Sequence, residues 1–236
     1  MTEKVVGSLA EAIEGIDDGA SIMVGGFGTT GLPANLVGAL IDKGVKDLTI
    51  ICGTYSQHEP FIVNDRLKKV ITSAIGHFAS KRSKTVLGKL DQGRFELELV
   101  PLGTIAERIR AGAACIPAFY IPTGVGTAAA EGKEVRTFDG REYILEYALK
   151  ADFALIKGYM ADTCGNILYR MAARNSNPVM AMAAATTIVE VEDIVAPEKI
   201  DFERIETPGV FVDRVVKVPS KVTWWEHWSE GSRQGR

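Results

Sequence analysis

The sequence predicts an α/β fold: a mostly parallel, mixed sheet covered by helices on both faces. Three observations carry it. Short apolar runs at 22–24, 48–51 and 152–157 read as strands buried on both sides. Helical patterns separate several of these runs, as crossovers between parallel strands require. A tight Asp139-Gly140 turn joins two further runs, 133–138 and 141–147, into an antiparallel hairpin, which makes the sheet mixed.

The elements follow in order. Ser8-Leu-Ala-Glu11 fits a capping box, and Leu9, Ile13 and Ile16 form one apolar stripe, so a helix opens the chain. Asp17-Asp18-Gly19 turns into the strand at 22–24. That strand runs into a turn holding Gly25, Gly26, Gly28 and Gly31. Pro33 then opens a helix over 34–43, closed by Gly44. After the strand at 48–51, residues 52–60 read as a polar turn at the strand's C-terminal edge. A third strand is expected at 69–75 and a polar helix at 80–91, whose Lys81, Arg82, Lys84 and Lys89 read as a solvated face. Residues 95–100 alternate as a half-exposed strand. Thr104-Ile-Ala-Glu107 repeats the capping box and starts a helix to 111. The glycine- and proline-rich stretch 112–127 reads as a long loop of the functional kind. After the strand at 152–157, Asp162 to Gly165 turns into 166–169, and 170–178 is a polar connection. Residues 180–185 are a small-residue helix, and 186–191 and 210–218 are strands. The domain spans residues 1–219. Residues 220–236 form a tail whose Trp224, Trp225 and Trp228 read as a subunit contact.

Composition narrows the function. At 236 residues, 46% hydrophobic and 24% charged, the chain has ample material for a packed core and is not a disordered segment. A net charge of −3 implies no general affinity for nucleic acid. No apolar run approaches the 18 residues of a membrane span, and the N-terminus reads as an amphipathic pattern rather than a signal peptide. Cys52, Cys115 and Cys164 are scattered, as reduced cytoplasmic thiols are, with neither disulfide nor zinc spacing.

A self-contained catalytic set is hard to find. His58, His77 and His227 lack metal-ligand spacing, so no metal is expected; His58 and His77 both follow strand ends and could face one cleft. There is no Gly-x-Ser-x-Gly elbow. Glu59, Glu107 and Glu131 are candidates by position only, and Glu107 has a structural explanation as a capping partner. The glycine turn is neither a dinucleotide fingerprint with its distal acid nor a Walker loop. It offers backbone N–H groups at a helix N-terminus, where an anion or carbonyl oxygen can sit. Glycines alone leave a ligand loop and a tight structural turn both open. A ligand loop without a convincing nucleophile suits half of a shared site.

The stretch Asp18-Gly19-x-x-Ile22-x-Val24-Gly25-Gly26-Phe27-Gly28-x-x-Gly31-x-Pro33 resembles the A subunits of the 3-oxoacid coenzyme A-transferases, a family that includes the succinyl-CoA:3-oxoacid, acetoacetate and 3-oxoadipate transferases. The likeness continues through the run from Gly103 to Gly112, Pro117-Ala-Phe-Tyr, Asp152-Phe-Ala-Leu-Ile-Lys157, Ala173-Arg-Asn175 and Met182-Ala-Ala, covering about residues 4–217. It implies the CoA-transferase domain and a partner, the B subunit, in an assembly of two copies of each chain. It also implies an acyl-CoA thioester as substrate, with no bound cofactor. In that family a glutamate of the partner chain attacks the thioester and forms a mixed anhydride. The CoA thiolate returns to give a glutamyl-CoA thioester, and the acceptor carboxylate takes CoA by the reverse route. The Ser-Glu-Asn-Gly motif that carries this glutamate is absent here, so no catalytic nucleophile is expected in this chain.

The resemblance places a substrate loop at Gly25, Gly26, Phe27, Gly28 and Gly31, with backbone amides supporting developing charge. Further substrate-side candidates are Gly53, Thr54, His77, Leu102, Gly103 and Val125. Several of these depart from the family pattern. Cys52-Gly-Thr stands for Ser-Asn-Asn, Leu102 for a Gln, Val125 for a Tyr, and Gly76-His-Phe78 for a Gly-Glu-Asn run. Losing amides makes the pocket more apolar, so a bulkier or more apolar carboxylate is expected to outcompete succinate and acetoacetate. Two other readings stay open: an acyl-CoA hydrolase or lyase with the same partner, and a non-catalytic CoA-binding scaffold chain.

Overall fold

The computed structural model describes residues 3–76 and 81–219. His77 and the tryptophans of the tail lie outside the described residues. The chain opens with strand β1 (Val5–Val6) and helix α1 (Leu9–Ala12), where Ser8 Oγ accepts the Glu11 N–H at 3.1 Å and the Glu11 carboxylate accepts the Gly7 N–H at 2.8 Å. Then come β2 (Ser21–Val24), α2 (Ala34–Lys43), β3 (Leu48–Ile51), α3 (Tyr55–Val63), β4 (Leu67–Thr72), α4 (Lys81–Asp91), β5 (Glu96–Leu99) and α5 (Leu102–Ala113). Strands β6 (Ala118–Ile121), β7 (Val135–Phe138) and β8 (Arg141–Tyr147) follow. The second half adds β9 (Ala151–Lys157), β10 (Met160–Asp162), β11 (Ile167–Leu168), α6 (Asn177–Ala183), β12 (Ala184–Val191), β13 (Asp193–Val195) and β14 (Arg214–Lys217).

Eight strands form the main sheet in the order β1-β14-β12-β9-β2-β3-β4-β5, and every neighbouring pair is parallel. The period-two alternation of the strands divides the core. Ile22, Val24, Leu155 and Ile188 point into one apolar cluster with α1, α2 and α3; Met23, Ala154, Ile156 and Val189 point into the other with α5 and α6. The expected parallel α/β sheet with both faces covered is therefore present. The hairpin turns at Asp139 (φ 48°) and Gly140 (φ 75°) as the sequence predicts, but it does not join that sheet. It pairs instead with β6 in a separate antiparallel sheet, order β6-β8-β7. A third sheet, β11-β10-β13, follows the C-terminal ends of β9 and β12.

Several local expectations are corrected. Residues 52–60 are not a turn: α3 occupies most of them, with Pro60 inside it. An interior proline costs about 3 kcal/mol. Burying Phe61 and Ile62 completely returns about 1.5–3 kcal/mol each, which is enough to hold the helix. The second capping box does not form. Helix α5 starts three residues early behind Pro101, Thr104 is buried in its first turn, and Glu107 pairs with Arg110 at 2.6 Å. The stretch 112–127 is not one loop, since β6 crosses it to pair with β8. The last strand is shorter than expected, because 209–211 form a 3-10 turn before β14. Lys89 of the polar helix α4 is not merely solvated; its Nζ donates to the Ile62 and Val63 carbonyls at the end of α3 and pairs with Asp65 at 2.8 Å.

Candidate functional site

The glycine turn leaves the C-terminal end of β2, in the middle of the sheet, where open parallel sheets place their ligands. Its amides are largely committed within the chain. Gly25 N–H donates to Leu155 O at 2.9 Å, Phe27 N–H to Thr30 O at 3.0 Å, and Gly28 N–H to Thr54 Oγ1 at 3.0 Å. Of the amides expected to lie near a substrate, those of Gly25, Phe27 and Gly28 are thus bonded within the chain. Most of the glycines serve packing. A Cβ on Gly25 would lie 1.8 Å from Asn177 Oδ1, and one on Gly31 would lie 2.3 Å from Ala173 O. Gly26 (φ 104°) turns tightly against Leu32. Of the four, only Gly28 has nothing within 4 Å of the added carbon. Beside it, the Phe27 side chain is 53% exposed.

The helix N-terminus behind the turn does hold a carboxyl acceptor, and the chain supplies it. Glu190, at the C-terminal end of β12 and fully buried, accepts the Leu36 N–H at 2.8 Å and Asn35 Nδ2 at 3.1 Å in the first turn of α2. Lys157 Nζ lies 3.4 Å away. Burial pushes the Glu190 carboxyl above the ordinary carboxylate range, against the pull of Lys157 and the Leu36 N–H. An external ligand therefore does not occupy the position that the strand–turn–helix pattern offers.

The neighbouring strand ends complete the site. Thr54 accepts from Gly28 N–H and donates to Gln57 Oε1 at 2.7 Å, tying the glycine turn to the start of α3. Ser73 Oγ, after β4, donates to Gly53 O. A Cβ on Gly53 would lie 3.7 Å from Leu102 Cδ1, at the start of α5 after β5. Gly28, Gly53, Thr54 and Leu102 thus meet at one edge, and the exposed side chains of Phe27, Leu99 and Leu102 give that edge an apolar character. Gly103 follows in the first turn of α5, with open space where its Cβ would be. Val125 is not joined to this group by these contacts; it lies in the turn after β6, its N–H bonded to Pro122 O.

His58 does not face a cleft. It is fully buried, with Nδ1 3.3 Å from Cys52 Sγ and Nε2 3.2 Å from Ile75 O. The carbonyl assigns the ring proton to Nε2 and leaves Nδ1 to accept from the thiol. Burial lowers the His58 pKa to about 4 and pushes the Cys52 thiol up to about 12. This pair is neutral and structural, not an activated nucleophile. Glu59 is buried within α3, Glu107 is spent on Arg110, and Glu131 is exposed beside the 3-10 turn at 128–130. Among the described residues no group of three or more His, Cys, Asp or Glu is placed to hold a metal ion, and no helix is long and apolar enough to cross a membrane.

Sequence reasoning assigns no role to Glu190 or Gln57, and it marks Lys157 and the segment 175–177 only as parts of a family motif and a polar connection, not as groups that reach the glycine turn or its helix. Pro178, one residue inside α6, was the available signal for a helix start at Asn177. Nothing local shows that its side chain fills the space beside Gly25.

A family model described as coenzyme A transferase matches residues 6–218. The A subunit of the 3-oxoadipate CoA-transferase of Pseudomonas putida is 48% identical over 223 residues, covering 92% of this chain and 95% of the relative. The mitochondrial succinyl-CoA:3-ketoacid coenzyme A transferase 2A of Mus musculus is 43% identical over 231 residues, covering 89% of this chain but 44% of the relative. Among solved structures, the C56S variant of the decarboxylase AibA/AibB superposes with a TM-score of 0.78 at 28% identity, covering 92% of this chain and 84% of that one. With its fold, its glycine turn and a family match over nearly its whole length, the chain belongs to the coenzyme A transferase family.

Proposed function

We propose that this transferase chain is the A subunit of a heteromeric CoA-transferase, moving CoA from an acyl-CoA donor to a carboxylate acceptor of the 3-oxoacid class. The second chain, the B subunit, supplies the glutamate nucleophile, in an assembly of two copies of each chain in the cytoplasm. The observation that carries this reading is the meeting of Gly28, Gly53, Thr54 and Leu102 at the C-terminal edge, an open wall with an apolar rim. The length relation supports it, since this chain accounts for 44% of the Mus musculus relative and leaves room in that protein for a second domain.

In this reading the chain contributes shape rather than a reacting group. The turn fixes one wall, the rim excludes water from the thioester, and the acyl group lies over Gly28, where the space is open, and against Leu102 beside Gly53. Leu102 and Gly53, standing where the resemblance expects amides, favour a bulkier or more apolar acyl chain over succinyl. The test is co-purification with the candidate partner chain, then acyl-CoA plus a panel of carboxylate acceptors, with each chain alone and both together. Transfer only by the pair, with apolar acceptors ahead of succinate, is the expected result. A clear succinyl preference overturns the substrate assignment, and transfer by the partner chain alone overturns the shared site in favour of a scaffold role. The similarity to a decarboxylase at 28% identity favours one second reading, a lyase or hydrolase acting on an acyl-CoA with the same partner. Acyl-CoA consumption by the pair without any acceptor acid would establish it.

A further inference from the structure

The glycine turn is gripped from one side by three consecutive residues, Asn175, Ser176 and Asn177, which lead into α6. Asn175 Nδ2 donates to Thr30 O at 3.0 Å, Ser176 Oγ to Gly26 O at 3.3 Å, and Asn177 Nδ2 to Gly31 O at 3.1 Å. Asn177 is fully buried. Its Nδ2 also reaches Ala173 O at 2.9 Å, and its Oδ1 accepts Lys157 N–H at 3.1 Å. Three carbonyls of one turn are thus held by three adjacent side chains. The segment bears strain as well: Met171 (φ 50°) and Asn175 (φ 25°) both sit at positive φ without being glycine. Such strain persists where surrounding contacts over-determine the backbone, and it gathers at sites where geometry must be held.

We infer that Asn175-Ser176-Asn177 is a positioning clamp for the transfer reaction, setting the height of the Phe27–Thr30 bridge against the acyl group. The inference rests on the reading that the glycine turn lines the cleft. The clamp touches neither substrate nor nucleophile; it acts through the turn. Small displacements of a positioning element lower turnover steeply while leaving ground-state binding nearly unchanged.

Asn175→Asp is the discriminating change. The residue is exposed, and aspartate keeps the Oδ1 that accepts Ser176 N–H at 2.6 Å while losing the amide donor to Thr30 O and, within its own segment, to Ala172 O at 3.0 Å. In the complex with the partner chain, the expected result is a fall in kcat of about tenfold, with KM for acyl-CoA and for acceptor within about twofold of the parent and an unchanged melting temperature. Ser176→Ala should lower kcat less, and the double variant more than either. An unchanged kcat in Asn175→Asp overturns the clamp, as does a fall that merely tracks lost assembly or lost thermal stability. If the parent pair itself transfers no CoA, the cleft reading fails instead, and the two failures are distinguishable.

Discussion

The packing of Gly25 against Asn177 can be tested by exchanging their sizes. A Cβ added at Gly25 would sit 1.8 Å from Asn177 Oδ1 and 2.8 Å from its Cγ, while the next neighbour, Leu155 O, stays at an ordinary 3.5 Å. Gly25→Ala therefore forces the buried amide out of place. Overpacking of this kind costs about 1–3 kcal/mol, and displacing an amide with three bonds raises the total to about 3–5 kcal/mol. Asn177→Ala alone leaves the Lys157 N–H and the Gly31 and Ala173 carbonyls without that partner, at about 1–3 kcal/mol for each group that water cannot reach, so a similar total of about 3–5 kcal/mol is expected. In the double variant the new methyl enters the space the amide has left, so the two costs should not add. The assay is a double-mutant cycle by urea denaturation of the full chain. The double variant should be more stable than the sum of the single costs by about 2 kcal/mol or more. Additive costs within about 0.5 kcal/mol would refute the claim that Gly25 is glycine because of Asn177.

Two further outcomes are expected. The native fold holds His58 neutral with a pKa of about 4 against an ordinary 6.5, so the folded state binds the proton less readily than the unfolded chain. Stability from this group is complete above pH 6.5 and is lost as pH falls toward 4, by about 3 kcal/mol in all. Denaturation midpoints across that window should show the loss, and His58→Gln should flatten it. At the rim, Leu102→Gln restores an amide beside Gly53. The ratio of kcat/KM for succinyl-CoA over a more apolar acyl-CoA should rise by about tenfold or more. An unchanged ratio would place the acyl group elsewhere.

The parallel α/β architecture was legible in the sequence because its signals are local. Apolar triplets and quartets mark strands buried on both faces, and Gly44 at φ 85° ends α2 where the sequence places its end. The resemblance reached the family by the same kind of local motif. Helix α3 was not legible, because its polar residues Ser56, Gln57 and His58 are buried and Pro60 signals a break; only the core that receives Phe61 and Ile62 outweighs both. The candidate site divides in the same way. Gly28, Gly53, Thr54 and Leu102 lie at strand ends, so the expected topology already carries them toward one edge. The purpose of the glycines could not be read locally. Asn177 lies 152 positions beyond Gly25, and Glu190 lies 154 beyond Leu36. Strands β9 and β12 bring them together by inserting between β2 and β14. By itself, the sequence determined that a strand, a glycine turn and a helix would form. The tertiary structure decided that a buried carboxylate would cap that helix and a buried amide would fill the space beside the turn, because unpaired polar groups in a core are too costly to leave without partners.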